Sequence, residues 1–235
     1  MPLPKIATPS YELELPSTEE TIQYRPFLVK EQKVLLIANE SQDKKQVVKA
    51  ILDTLQSCIE SDVDVGKLTT FDVDYIFTQI RAKSVGEKVD LKIKCTSCDE
   101  FNEVSINLED VQVPKIEGSK VVELTDKISI KLQYPSYAQF LKNQKILNAT
   151  SDTETVMEII ISCMQSIQTE EDNILLKDEP REEIVKFLDS MTAEQFEKIT
   201  EFVQKMPAMK QDVQFQCVHC EHDNDVELKG IDDFF

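Results

Sequence analysis

The hydrophobic positions of this chain follow two periods, and the places where one gives way to the other divide it. Tyr11-Glu12-Leu13-Glu14-Leu15 alternates apolar and polar side chains, which predicts a short strand inside a proline-, serine- and charge-rich stretch over 1–20. A second strand is expected over 21–25. From Pro26, a residue suited to a first helical turn, the period lengthens. A short helix is expected over 27–37, and Ser41-Gln42-Asp43 caps a longer one. There Val47, Val48, Ile51, Leu52, Leu55, Cys58 and Ile59 recur at steps of three and four. Phe71, Val73, Ile76, Phe77 and Ile80 predict a third helix over about 70–83, which Gly86 is placed to end.

Beyond Gly86 the period returns to two. Val89, Leu91 and Ile93 alternate with Asp90, Lys92 and Lys94 up to Cys95, while Val104, Ile106 and Leu108 lead away. The pattern predicts a hairpin with a cysteine turn at its tip. Val122, Leu124, Ile128, Ile130 and Leu132 alternate again. Helices are then predicted over 153–166, with Val156, Ile159, Ile160, Cys163 and Ile167 on one face, over 180–191 and over 192–206. Thr192-Ala193-Glu194-Gln195 opens the last with a capping-box pattern. Finally Val213 and Phe215 lead into Cys217, and Val226 and Leu228 lead away from Cys220.

The two cysteine segments repeat one another. A shift of 122 residues lays Cys95, Cys98, Asn102 and Val104 onto Cys217, Cys220, Asn224 and Val226 without a gap. Each segment reads as a strand, a CxxC knuckle and a returning strand. One knuckle offers two thiolates on the same side of a tight turn, and two facing knuckles complete a tetrahedron. Cys95, Cys98, Cys217 and Cys220 are therefore the expected ligands of one structural zinc ion; iron fits the same spacing and is less favoured. A redox role would need a pair at a strand–helix junction, whereas both pairs sit at hairpin tips. The residue after each second cysteine is expected at positive φ, where Asp99 is tolerated better than Glu221. His219 and His222 flank the second knuckle as possible substitute ligands. Cys58 and Cys163 fall on apolar helical faces and read as core.

The expected fold class is α+β: bundle-like helical parts with a split zinc ribbon of two CxxC β-hairpins and a helical insertion between them. Its divisions are an extended arm over 1–20, a helical region over 21–86, the ribbon over 87–110 and 211–229, a mainly helical insertion over 111–210 and a tail over 230–235.

Composition narrows the function. The 235 residues carry a formal charge of −18 and only four glycines, and no glycine-rich phosphate loop is present. An acidic chain without a basic block argues against nucleic acid as a partner. The rival reading, a nucleic-acid or transcription-associated zinc-ribbon module, calls for a basic ribbon face. Here Asp99, Glu100, Glu103, Glu221, Asp223 and Asp225 line the two knuckles and their exits. No secretory signal and no apolar run long enough for a membrane span is seen. Six cysteines in such a chain point to a reducing compartment, where close pairs bind metal in preference to forming disulfides. Four thiolates close a coordination sphere, so no enzymatic activity and no small-molecule substrate are expected. The period-two arm, through Tyr11, Leu13 and Leu15, and the terminal Phe234 and Phe235 are candidate partner-binding segments.

One ordered series of strings carries a resemblance. It comprises Pro2-Leu3-Pro4-Lys5-Ile6-Ala7-Thr8-Pro9, Tyr11-Glu12-Leu13-Glu14-Leu15-Pro16, Tyr24-Arg25-Pro26-Phe27-Leu28-Val29-Lys30-Glu31 and Leu36-Ile37-Ala38. Phe71-Asp72-Val73-Asp74-Tyr75-Ile76-Phe77 and Arg81-Ala82-Lys83-Ser84-Val85-Gly86 follow. The series resembles the T4-type bacteriophage baseplate hub assembly protein family, clearly over about the first hundred residues and more loosely beyond. The resemblance implies a non-enzymatic viral protein that helps build the central hub of the tail baseplate. It implies other baseplate or hub proteins as partners, and a location in the host cytoplasm during assembly or in the virion tail baseplate.

Overall fold

Strand β1 (Tyr11–Glu14) turns back through Ser17 and Glu19 to pair antiparallel with β2 (Thr21–Tyr24), Leu13 facing Ile22 in the register. Alternation puts Leu13, Leu15, Ile22 and Tyr24 into the protein interior. Arg25 N donates to Cys58 O and Glu60 N to Gln23 O, which fastens this ribbon to the end of helix α2 (Lys44–Cys58). Helix α1 (Val29–Glu40) precedes α2 and packs on it. Asp43 caps α2 by accepting from Lys45 N, while Thr69 and Asp72 form the capping box of α3 (Thr70–Val85). The Asp72 carboxylate also accepts from Ser17 N at 2.9 Å, so the cap ties α3 to the N-terminal ribbon.

The computed structural model describes residues 6–41, 43–115, 120–142, 152–230 and 233–234. The chain divides into two units, Met1–Lys115 with Pro207–Phe235 and Ile116–Met206.

In the first unit two hairpins follow the helices. Strands β3 (Lys88–Lys94) and β4 (Phe101–Asn107) pair antiparallel with Leu91 opposite Val104. Strands β9 (Lys210–Gln216) and β10 (Asp223–Lys229) do the same with Val213 opposite Val226. The hairpins are separate two-stranded sheets, and they share one core with Ala82 of α3, built on Val89, Ile93, Ile106, Val213 and Leu228. At their base Gln112 and Lys210 exchange backbone hydrogen bonds of 3.0 and 2.8 Å, beside the points where the chain leaves for the second unit and returns.

The second unit holds an antiparallel sheet in the order β5 (Val121–Thr125), β6 (Ile128–Leu132), β7 (Met164–Gln168) and β8 (Asn173–Leu175). Among the described residues it also holds helices α4 (Tyr137–Lys142), α5 (Asp152–Cys163), α6 (Arg181–Asp189) and α7 (Ala193–Gln204). Its core includes Ile130, Leu132, Ile160, Ile184, Leu188 and Ile199. The buried Glu158 is ion-paired with Arg181. Among the described residues this unit combines its helices with a four-stranded sheet, and the helix expected to reach residue 166 stops at Cys163. Met164–Gln168 pairs with strands on both sides instead, Ile167 lying opposite Ile130 and Ile174. A short apolar run satisfies either period, and strand pairing decides it.

Candidate metal centre

Each knuckle is built by the same local hydrogen bonds. Cys95 N donates to Glu100 O at 2.9 Å and Asp99 N to Cys95 O at 3.1 Å; Cys217 N donates to His222 O and Glu221 N to Cys217 O, both at 2.9 Å. Ser97 N and His219 N each point at the sulfur two residues before, at 3.4 Å. Closing the turn this way forces Asp99 and Glu221 to φ of 60°, the left-handed region that costs a non-glycine residue roughly 1 kcal/mol.

The four sulfurs converge. Cys95, Cys98, Cys217 and Cys220 place their Sγ atoms within 4.8 Å of one another. Across the two hairpins, Cys95 Sγ lies 3.7 Å from Cys220 Sγ, and Cys98 Sγ 3.7 Å from Cys217 Sγ. Sulfurs about 2.3 Å from a central zinc at tetrahedral angles stand about 3.8 Å apart, so the donor set fits such an ion. All four are free thiols. The imidazoles of His219 and His222 stay outside the cluster and in solvent.

The clasp between the knuckles comes from two buried asparagines, each reaching across to the opposite hairpin. Asn102 Oδ1 accepts from Val218 N at 2.9 Å while its Nδ2 donates to Cys217 Sγ at 3.6 Å and Glu100 O at 3.1 Å. Asn224 repeats the pattern. Its Oδ1 accepts from Thr96 N at 2.8 Å and Thr96 Oγ1 at 2.9 Å, and its Nδ2 donates to Cys95 Sγ at 3.6 Å and His222 O at 3.0 Å. The coincidence of the two asparagines under the 122-residue shift is the trace this clasp leaves in the sequence.

These donors split the thiols into two kinds. Burial opposes ionisation of Cys217, but the N–H groups of His219 and Cys220 and the Asn102 amide outweigh it and bring the thiol down to about 6. Cys95 is lowered against the same burial by Ser97 N–H, Cys98 N–H and Asn224. Cys98 gains one backbone donor at Glu100, yet burial and the three neighbouring cysteines push it up to about 12. Cys220 is raised as well: the backbone N–H of His222 and the Cys98 thiol favour its thiolate, and burial with the Cys217 and Cys95 side chains prevails. A cation at the centre would remove that mutual opposition. Cys58 and Cys163 lie apart and buried, and burial pushes them up to about 11 and about 12, the character of inert core thiols.

The partner-binding candidates are placed differently. Leu13 and Leu15 are buried in the chain's own interior, and half-buried Tyr11 packs against Tyr24 with ring centroids 5.7 Å apart. Phe234 is fully buried in the core shared by the two hairpins. The expectation of an exposed docking segment at Leu13, Leu15 and Phe234 is thus corrected: these apolar side chains gain more by covering their own core. Phe235 lies outside the described residues.

The sequence profile of the family described as T4 bacteriophage base plate protein matches residues 8–235. The chain belongs to that family. Comparison with curated proteins and with solved structures finds no match. Membership assigns a structural role in the phage baseplate, and the match runs through both CxxC hairpins as well as the N-terminal region that carries the resemblance. No helix among the described residues of this baseplate protein is long and apolar enough to cross a membrane.

Proposed function

We propose that this baseplate protein is a non-enzymatic structural or assembly subunit of the central hub of a contractile-tailed phage, held in shape by one tetrathiolate zinc ion. The family match supports the baseplate role, and the cross-hairpin sulfur spacing of 3.7 Å is the single observation that carries the metal. Zinc is preferred to ferrous iron because a given divalent site binds it more tightly along the first-row series. Four thiolates leave no open position for water or substrate, so the ion acts by joining segments that lie more than a hundred residues apart in sequence. Binding free energy of a structural zinc becomes folding free energy, on the order of 10 kcal/mol in small units. Here it would hold together the two hairpins that flank the Ile116–Met206 unit. Partners are other baseplate proteins, met in the host cytoplasm during assembly.

Elemental mass spectrometry of freshly purified, reduced protein tests the reading. About one zinc per chain, lost in Cys95→Ser and Cys217→Ser together with stability, is the expected result. Metal-free parent protein of full stability would overturn the metal, and one iron per chain would overturn the choice of ion.

A further inference from the structure

Large apolar side chains are exposed singly over most of this protein, but on one helix they gather. Leu28, Val29, Val34, Leu36 and Ile37 are all exposed, and Val29, Leu36 and Ile37 are 65%, 55% and 68% accessible. The opposite side of α1 is buried at Glu31 and Ala38, so the packing of this helix on α2 is already satisfied there. Positions 29, 33, 36, 37 and 40 follow one another at helical steps of three and four and form one outward stripe, Val29-Lys33-Leu36-Ile37-Glu40. Exposed apolar area of this kind, roughly 300 Å² for three aliphatic side chains more than half exposed, is the size of the largest patch on a typical monomer, which is often functional.

We propose that this stripe is an isologous interface on which α1 of a second copy of the chain docks antiparallel. The charges select that occupant. Two copies of a −18 chain repel over most of their surfaces. The α1 stripe departs from that balance: Lys33 stands in its first half and Glu40 ends it, while Lys30 lies off the stripe and pairs with Glu31 of its own chain at 3.2 Å. Antiparallel pairing about the Leu36–Ile37 step sets Lys33 of each copy opposite Glu40 of the other, and lays Leu36 against the partner's Ile37. Parallel pairing would stack like charges along the whole seam. The self-complementary pattern is what a two-fold interface requires. An interface of two such patches with their rims falls near the lower end for specific association, which implies a reversible dimer with a dissociation constant in the micromolar range.

Sedimentation velocity of the full chain over roughly 1–200 µM tests this, since that range brackets a micromolar equilibrium. The weight-average mass is expected to climb from 26.9 kDa toward twice that value. Ile37→Lys, at an exposed position that leaves folding intact by circular dichroism, is expected to hold the chain at monomer mass throughout. Glu40→Lys, which sets like charges against Lys33 of the other copy, is expected to weaken the dimer roughly three- to tenfold. Monomer mass of the parent at every concentration overturns the proposal. A dimer indifferent to Ile37→Lys overturns the interface, and one indifferent to Glu40→Lys overturns the antiparallel register. None of these outcomes depends on the metal.

Discussion

Replacing Asn102 tests whether the crossed asparagines, and not the metal alone, hold the knuckles face to face. In Asn102→Ala the part-buried Val218 N–H loses its acceptor at 2.9 Å, and Glu100 O loses a donor at 3.1 Å. A donor left unpaired on burial costs about 1–3 kcal/mol, and a further hydrogen bond about 1 kcal/mol, so the substitution should destabilise the first unit by about 2–4 kcal/mol. Urea unfolding of metal-free protein, followed by near-ultraviolet circular dichroism of the tyrosines, reads this directly because no metal enters the balance. Asn102→Asp is the informative companion. It keeps an oxygen for Val218 N–H but removes the donor to Cys217 Sγ and sets a carboxylate beside that sulfur. Metal-free Asn102→Asp should therefore recover part of the lost stability while binding zinc more weakly than the parent. The carboxylate is disfavoured there, so its protonation is shifted upward, and its penalty should be full at neutral pH and fade toward acid. Metal-free Asn102→Ala within about 0.5 kcal/mol of the parent would refute the clasp, because such a value is ordinary for a surface change.

Zinc affinity should rise with pH near neutrality, since Cys98, pushed up to about 12, and Cys220, also raised, must both lose protons on binding. At least these two protons are released, so the affinity should rise about a hundredfold or more per pH unit, measurable by chelator competition at pH 6.5, 7.0 and 7.5. Phe234→Ala should cost about 3–5 kcal/mol in urea unfolding, the value for emptying a fully buried aromatic site, in contrast to the near-zero cost at an exposed tail. Glu221→Asn should stabilise the second knuckle by a few tenths of a kcal/mol up to about 1 kcal/mol, because asparagine tolerates the left-handed backbone at φ 60° better than glutamate does. Thermal unfolding of the metal-loaded protein checks the sign.

The legibility of this protein tracks how local each determinant is. The hairpins β3–β4 and β9–β10 could be read from alternation alone, because Val89-Leu91-Ile93 and Val104-Ile106 already specify one buried face each. The convergence of the four cysteines could be anticipated from the duplicated CxxC spacing, which leaves each knuckle with two donors and a need for two more. Asn102 and Asn224 were visible as a coincidence but not as a clasp, since identity under a shift does not say which hairpin a side chain reaches. Where the determinant was a distant partner, local pattern failed. Met164–Gln168 continues the apolar steps of α5, yet its backbone is claimed by β6 and β8. Leu13, Leu15 and Phe234 looked available at the ends of the chain until the core they cover was in view.

The α1 stripe belongs to the same logic carried one level out. Within the chain, terminal apolar residues fold back wherever a surface exists to receive them, as Leu15 and Phe234 do. Val29, Leu36 and Ile37 sit on a helix whose inner side is already occupied, so the chain cannot cover them by rotating α1 without exposing Ala38 and breaking the Arg25–Glu31 pair at 2.9 Å. That pair is itself anchored: Arg25 also donates to Ser57 O, and Glu31 accepts from Leu28 N in the helix's own cap. The fold thus fixes the rotation of α1 through buried polar contacts and leaves an apolar stripe facing outward. In a protein of an assembling baseplate, burying that stripe calls for another chain, and the order of Lys33 and Glu40 along it matches a second copy running the opposite way.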